Sequence, residues 1–239
     1  MAQHRTRAPR KSQYRTVRMG VLNRRFPALL LLAGMGLAPT AQAELLDRAF
    51  AVYDTVSHLS WLKDANYAQT SGYDTDGQMT WAAGNAWAAG LTVGGYTGWR
   101  LPTTLQPDAT CSGSFTDPTY GVQSGAFSCT GSELGNLFYN GLGGVANQSI
   151  TTTHNANYDL FTNIQSSVYW SGTEYAPDPN DAWLFSTSNG YQLNASKDGN
   201  FYAWAVRSGD VAAVPEPGVI GLFGVGALAW AGAKARRRG

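Results

Sequence analysis

Apolar side chains follow two different patterns along the chain. Near each end they form one unbroken run, Ala28 to Leu37 and Gly218 to Ala233, whereas between Glu44 and Ala213 they fall into short groups separated by Gly, Asn, Asp, Ser and Pro. Short aromatic or β-branched groups bounded by turn residues read as strands. They are Phe50 to Tyr53, Ser60 to Leu62, Val168 to Trp170, Ala182 to Ser186 and Phe201 to Arg207. Ser188-Asn189-Gly190 and Lys197-Asp198-Gly199-Asn200 carry the pairs that admit positive φ, so hairpins are expected among the last strands. Two short helices are predicted. Thr80 caps the first, which would bury Ala83, Trp87 and Leu91, and Thr130 with Glu133 has capping-box spacing for the second, which would bury Leu134, Leu137 and Phe138. The pattern is an α+β domain with antiparallel strands and its two ends close together. A short echo, Trp81-Ala82-Ala83-Gly84 and Trp87-Ala88-Ala89-Gly90, is too brief to define a repeat.

The terminal runs read as addresses. Arg24 and Arg25 precede the first, and Ala41-Gln42-Ala43 offers a signal peptidase the small residues it cuts after, so residues 1–43 are predicted to be a secretory signal peptide, with Met1 and Met19 both candidate starts. A buried helix is the alternative, but it would not need basic residues before it and Ala-x-Ala after it. At the other end Val214-Pro215-Glu216-Pro217 leads into residues 218–233 and then Lys234-Ala235-Arg236-Arg237-Arg238. Proline ends the preceding structure, the apolar stretch suits lipid, and the basic cluster stays on the cytoplasmic side. As a helix, residues 218–233 would span about 24 Å, accommodated by snorkelling and a thinned bilayer. Residues 44–213 are then a single exported domain.

Composition sharpens this picture. The 239 residues are 44% hydrophobic and 14% charged with 28 Gly, which excludes intrinsic disorder and suits a turn-rich exported domain. The formal charge of +1 conceals an acidic centre: between Glu44 and Ala213 stand five cations against fifteen acids, a net charge of −10. Nucleic acid is excluded as a partner, since no basic face is available to release counterions.

Cys111 and Cys129 both lie in the exported segment, where a disulfide is the economical reading. It would add about 3 kcal/mol by stapling a Gly-, Ser- and Thr-rich excursion. A reactive or metal-binding pair is the alternative, and it would want a nearby His or Lys. Most of the seven tryptophans of the exported segment are expected in the core. Tyr175, Trp183, Tyr191 and Tyr202 flank predicted loops and are the candidates for a sugar-stacking surface. Arg100 and Arg207 are expected to order carboxylates in ion pairs. Asp74-Thr75-Asp76-Gly77 lacks a full calcium ligand set and reads as an Asx-rich turn. His58 and His154 lie far apart without metal-ligand spacing, so neither a metal centre nor a catalytic residue is predicted.

Two resemblances fit this arrangement. The tripartite tail around Pro215, Glu216 and Pro217 resembles the PEP-CTERM sorting signal of exported bacterial proteins. It implies membrane insertion with the domain on the periplasmic side, processing by an exosortase, and transfer to the surface or an exopolysaccharide matrix. Thr80-Trp81, Gly94-Gly95-Tyr96-Thr97-Gly98-Trp99-Arg100-Leu101-Pro102-Thr103, Tyr169-Trp170-Ser171-Gly172-Thr173 and Ala203-Trp204-Ala205-Val206-Arg207 resemble the Lcl C-terminal domain family. That resemblance implies a C-type-lectin-like fold and surface adhesion to polysaccharide. The acidic charge favours a neutral glycan. The calcium tripeptides of lectin sugar sites are missing, Asp178-Pro179-Asn180-Asp181 being the nearest fragment, so calcium is a candidate cofactor only at Asp178 and Asp181. The expected function is non-enzymatic carbohydrate or matrix binding, with an extracellular polysaccharide or another surface protein as the partner. The alternatives are a structural matrix protein without a ligand, and an enzyme.

Overall fold

The computed structural model describes residues 44–211, so the predicted signal peptide, sorting tail and helix over 218–233 lie outside the described residues. Strands β1 (Leu45–Asp47), β2 (Ala51–Asp54) and β3 (Leu59–Leu62) form an antiparallel meander, and the last strand of the domain, β11 (Val206–Ser208), adds to its far edge against β3. Both ends of the domain therefore share one sheet, as the sequence predicts. Arg48 fastens them, donating from its guanidinium to both carboxylate oxygens of Asp210 at 2.8 Å.

A second sheet has five strands. Its order is β4 (Gln78–Met79), β10 (Phe201–Tyr202), β7 (Val168–Glu174), β8 (Asp181–Ser186) and β9 (Tyr191–Ser196). The expected Ser188-Asn189-Gly190 hairpin joins β8 to β9, with Gly190 at φ +80°, where a side chain would also collide with Tyr139 and Phe138. The turn at Lys197 to Asn200 departs from expectation. It carries the chain across to the far side of β7, where β10 pairs parallel with β7 and antiparallel with β4.

The run Phe201 to Arg207 is also not one strand. Phe201 and Tyr202 belong to the second sheet and Val206 to the first, while Ala203, Trp204 and Ala205 between them are all buried. Three successive buried residues cannot sit on a strand that exposes every other side chain, so the segment leaves one sheet and enters the other. Trp204 fills the crossing. Its ring meets Trp61, Phe161 and Tyr169 at centroid distances of 5.5, 5.2 and 5.7 Å, and its indole nitrogen donates to the Leu62 carbonyl at 2.8 Å.

The helices are short: α1 (Tyr67–Thr70), α2 (Trp81–Gly90) and α3 (Glu133–Asn136). Thr80 caps α2 by accepting from the Ala83 amide, as its position suggests. The buried face is Gly84, Trp87 and Ala88, so the stripe is rotated from the expected one and leaves Ala83 and Leu91 half-buried. For α3 the capping box fails. Ser132 is the residue before the helix, and Glu133 already stands inside it, facing Arg100. The predicted burial of Leu134, Leu137 and Phe138 holds, and the helix widens over Leu137–Gly141 into a π turn closed by a Leu142 N–H to Leu137 C=O bond.

Trp99 to Thr103 joins these parts. The backbone of Arg100 exchanges two hydrogen bonds with Val206 in β11, and its guanidinium grips Glu133 at 2.7 Å on both oxygens. Glu133 also accepts from the Thr103 amide. Pro102 presents its carbonyl to Gly172 and Ser171, where β7 bulges against β8 between Trp170 and Glu174. Arg100 thus orders a carboxylate as expected. Arg207 does not: its guanidinium lies over the Tyr96 ring at 5.0 Å and donates to the Thr97 carbonyl.

Two outcomes follow from these contacts. Glu133→Ala leaves a half-buried Arg100 and the Thr103 amide without their shared acceptor, and is expected to lower unfolding stability by about 2 kcal/mol in a urea titration. Arg48 holds the Asp210 carboxyl below its ordinary range. A depressed carboxyl contributes stability that is present above its unfolded-state value of about 4 and lost as pH falls through the lower folded value. Asp210→Asn is therefore expected to lower the melting temperature at neutral pH and to flatten its decline in acid.

Candidate functional site

The excursion between Cys111 and Cys129 is more ordered than its composition suggests. The disulfide forms, with Cα atoms 4.1 Å apart, and closes the base of a β-hairpin, β5 (Gly113–Asp117) and β6 (Gly121–Gly125). Its strands are built from Gly, Ser, Thr and Gln, which pair through the backbone without offering an apolar run that would mark them. Asp117 shapes the turn by accepting from the Thr119 and Tyr120 amides.

The hairpin leans on β9 at one point. Ala126 and Gln192 exchange backbone hydrogen bonds at 3.0 and 2.7 Å, after which no further backbone pairing joins β6 to β9. The backbone of Ser124, which a continuing sheet would use, is instead satisfied by side-chain amides. Gln106 accepts from its N–H and donates to its C=O, each at 2.7 Å, and Gln192 donates to the same carbonyl at 3.2 Å. Gln106 thus imitates a peptide unit of a neighbouring strand.

The divergence leaves a cleft. A cavity of about 280 Å³ lies between hairpin and sheet, with Phe115, Gln123, Trp183, Tyr191 and Asn194 in its wall. A second, of about 400 Å³, is walled by Gln106, Tyr120, Gln123, Thr173, Glu174 and Trp183. Trp183 and Gln123 border both. Trp183 projects from β8 and is only 3% exposed, so it offers no open face for a sugar ring and meets a ligand only as cavity wall. Its indole N–H is buried without a hydrogen-bond partner. Four other indoles, those of Trp81, Trp99, Trp170 and Trp204, donate to backbone carbonyls. Trp87 also lacks a partner, but it borders neither cavity.

The other expected ligand residues divide. Tyr175 packs edge-on against Trp183 at 5.2 Å. Burial pushes its phenol up, and Asp117, Asp181 and Asp178 add to the effect, so it stays a neutral donor. Tyr191 is half-buried in the cavity wall, edge-on to Phe127 at 4.8 Å. Asp181 accepts from the Asn194 amide at 2.7 Å and fixes that side chain beside the cavity. Asp178 is turned to its own loop, accepting from the backbone and side chain of Asn180. Tyr202 lies apart on β10, two strands from β8, against Tyr169 at 5.6 Å. Sequence reasoning missed Gln106, Phe115, Tyr120 and Gln123. The signal for them was the turn Asp117-Pro118-Thr119-Tyr120 centred between the cysteines.

The cations are engaged, one of them, Lys197, by Glu174 at the second cavity. Arg48, Lys63, Arg100 and Lys197 pair with Asp210, Asp47, Glu133 and Glu174 at 2.6 to 3.1 Å, and Arg207 is engaged by Tyr96 and Thr97. Asp74 accepts from the Asp76 and Gly77 amides, the Asx turn that was expected. Asp108 approaches Cys111 and Cys129, but the sulfurs are bonded to each other and supply no thiolate, while the carboxylate accepts from the Thr110 and Gly131 amides. The two histidines among the described residues are exposed and line neither cavity: His58 meets the Tyr53 hydroxyl, and His154 stacks on Tyr158 at 4.1 Å.

Searches of curated proteins and of solved structures found no match to this chain. The Lcl C-terminal domain matches residues 50–207, which take in the second sheet, the first sheet apart from β1, the hairpin and the two cavities. The PEP-CTERM protein-sorting motif matches residues 213–238. The chain belongs to the Lcl C-terminal domain family and ends in a PEP-CTERM sorting motif.

Proposed function

We propose that this protein is a non-enzymatic binding module, displayed at the cell surface, that holds a neutral polysaccharide of the extracellular matrix in the cleft between hairpin β5–β6 and strands β8 and β9. The PEP-CTERM motif directs the chain to export, membrane-anchored sorting and an exosortase. Among the described residues no helix is long and apolar enough to cross a membrane. The membrane segment of the proposal is the apolar run over 218–233.

The observation that carries the reading is the indole of Trp183, which borders two cavities walled by amides, hydroxyls and aromatic rings and whose buried N–H has no partner. An unmade bond of this kind costs about 1–3 kcal/mol, and a small shift of the ring that opens the N–H to a ligand oxygen recovers it. Amides and aromatic edges together suit a sugar, which has hydroxyls around its rim and an apolar face. A neutral sugar is favoured because the five cations of the domain are already engaged and acids outnumber them. The reading gives calcium no part: Asp178 and Asp181 each lend one carboxylate oxygen to Asn180 or Asn194. A C-type-lectin-like scaffold suits the joined ends of the domain and the stapled excursion that carries the site.

Calorimetric titration of the full-length protein in phospholipid nanodiscs against neutral matrix polysaccharide is expected to give saturable heat, unchanged by EDTA. Trp183→Phe keeps the ring and removes the donor, and is expected to weaken binding about tenfold with the circular dichroism spectrum intact. Absence of heat with every neutral polysaccharide favours a matrix protein without a ligand. The double variant Cys111→Ser, Cys129→Ser frees the hairpin from its base. It is expected to retain the far-ultraviolet signature of the two sheets while losing most of the affinity.

A further inference from the structure

The two cavities share a wall, and each has its own exposed aromatic ring supplied by the hairpin. Phe115, on β5, is 49% exposed and borders the first; Tyr120, in the turn, is 52% exposed and borders the second. Among the described residues seven large apolar side chains are exposed, and the hairpin carries three of them, Phe115, Tyr120 and Val122. Exposing rings in water is unfavourable unless something covers them at times. At about 280 and 400 Å³, each cavity on its own lies near the lower end of the range for small-molecule sites, roughly 300–1,000 Å³. Neither is a deep pocket for a chain end. Gln123 and Trp183 form the wall between them, and Gln123 is held in place by donating to the Tyr120 carbonyl at 3.3 Å.

Building on the polysaccharide reading above, we infer that the cleft binds an internal stretch of a linear glycan, with one portion under Phe115 in the first cavity, another under Tyr120 in the second, and the connecting linkage passing over Trp183 and Gln123. The occupant is uncharged along this stretch. Glu174 borders the second cavity, paired with Lys197 at 3.1 Å, and Asp117, Asp178 and Asp181 lie near the Tyr175 phenol beside it, so a sulfated or uronic-acid unit meets a net negative charge there. Tyr120 and Phe115 therefore set a minimum ligand length rather than the identity of a single sugar.

The test uses the neutral exopolysaccharide purified from the cell that makes the protein, together with its partial acid hydrolysate sorted by length from single units upward. Affinity of the full-length protein is expected to rise with length and level off once both cavities are filled. Tyr120→Ala, at an exposed turn where the fold does not depend on it, is expected to lower affinity about three- to tenfold for the long fragments and not for the shortest that bind. Phe115→Ala is expected to lower both. Equal affinity for single units and long fragments overturns the inference while leaving the polysaccharide reading intact. So does a Tyr120→Ala variant that binds long fragments like the parent. Failure of the intact polymer to bind overturns both.

Discussion

The burial of Trp204 where the chain passes from one sheet to the other is the constraint on which the rest of the domain depends. The eight residues Phe201 to Ser208 serve both sheets, and they can do so only because the middle three are buried and the indole fills the space between layers. Trp61 from the first sheet and Tyr169 from the second lean on the same ring, so neither sheet has a complete core without it. The Trp99 to Thr103 segment then locks the arrangement, since Arg100 joins β11 by its backbone and α3 by its side chain. With the layers fixed, the position of β8 is fixed too, and with it the wall that Trp183 supplies to the cleft.

Elements that bury a dense aromatic or aliphatic group were legible from the residues alone. Val168 to Trp170, Ala182 to Ser186 and the helix capped by Thr80 are of this kind, because burial selects residue types that also carry strand or helix preference. Elements made by backbone pairing between small polar residues were not legible. Gly113–Asp117 and Gly121–Gly125 hold no apolar stripe, and what makes them strands is each other and the disulfide beneath them. The same limit explains the run from Phe201 to Arg207. Its composition reads as one strand, but which sheet each half joins is set by β7, β4 and β3, which come from distant parts of the sequence.

The candidate site divides along the same line. Trp183, Tyr175, Tyr191 and Asp181 come from strands or strand ends whose positions the sequence suggests, and the structure does bring them together. Tyr202 has the same residue type and the same kind of neighbours in sequence, yet strand order carries it to the other side of β7. The turn between the cysteines hints at a hairpin, but nothing local in Gln106 or Gln123 announces that an amide will stand in for a strand or line a cavity. Arg207 shows a related limit. A cation in an acidic domain suggests a carboxylate partner, but an aromatic face and a carbonyl already in place at Tyr96 and Thr97 serve it instead.

The clasp between Arg48 and Asp210 takes on a mechanical meaning at a surface. The sorting motif begins at residue 213, three positions beyond Asp210, so a chain held by that tail is pulled from this end. Tension arriving there meets the paired guanidinium and carboxylate before it reaches β11, and it passes next to β3 across a ladder of hydrogen bonds. The opposite pull, from the polymer proposed to lodge at the hairpin, would enter through the disulfide and β9. A domain loaded in this way is stretched between a covalent staple and an ionic one, and the ionic one is the first to yield in salt.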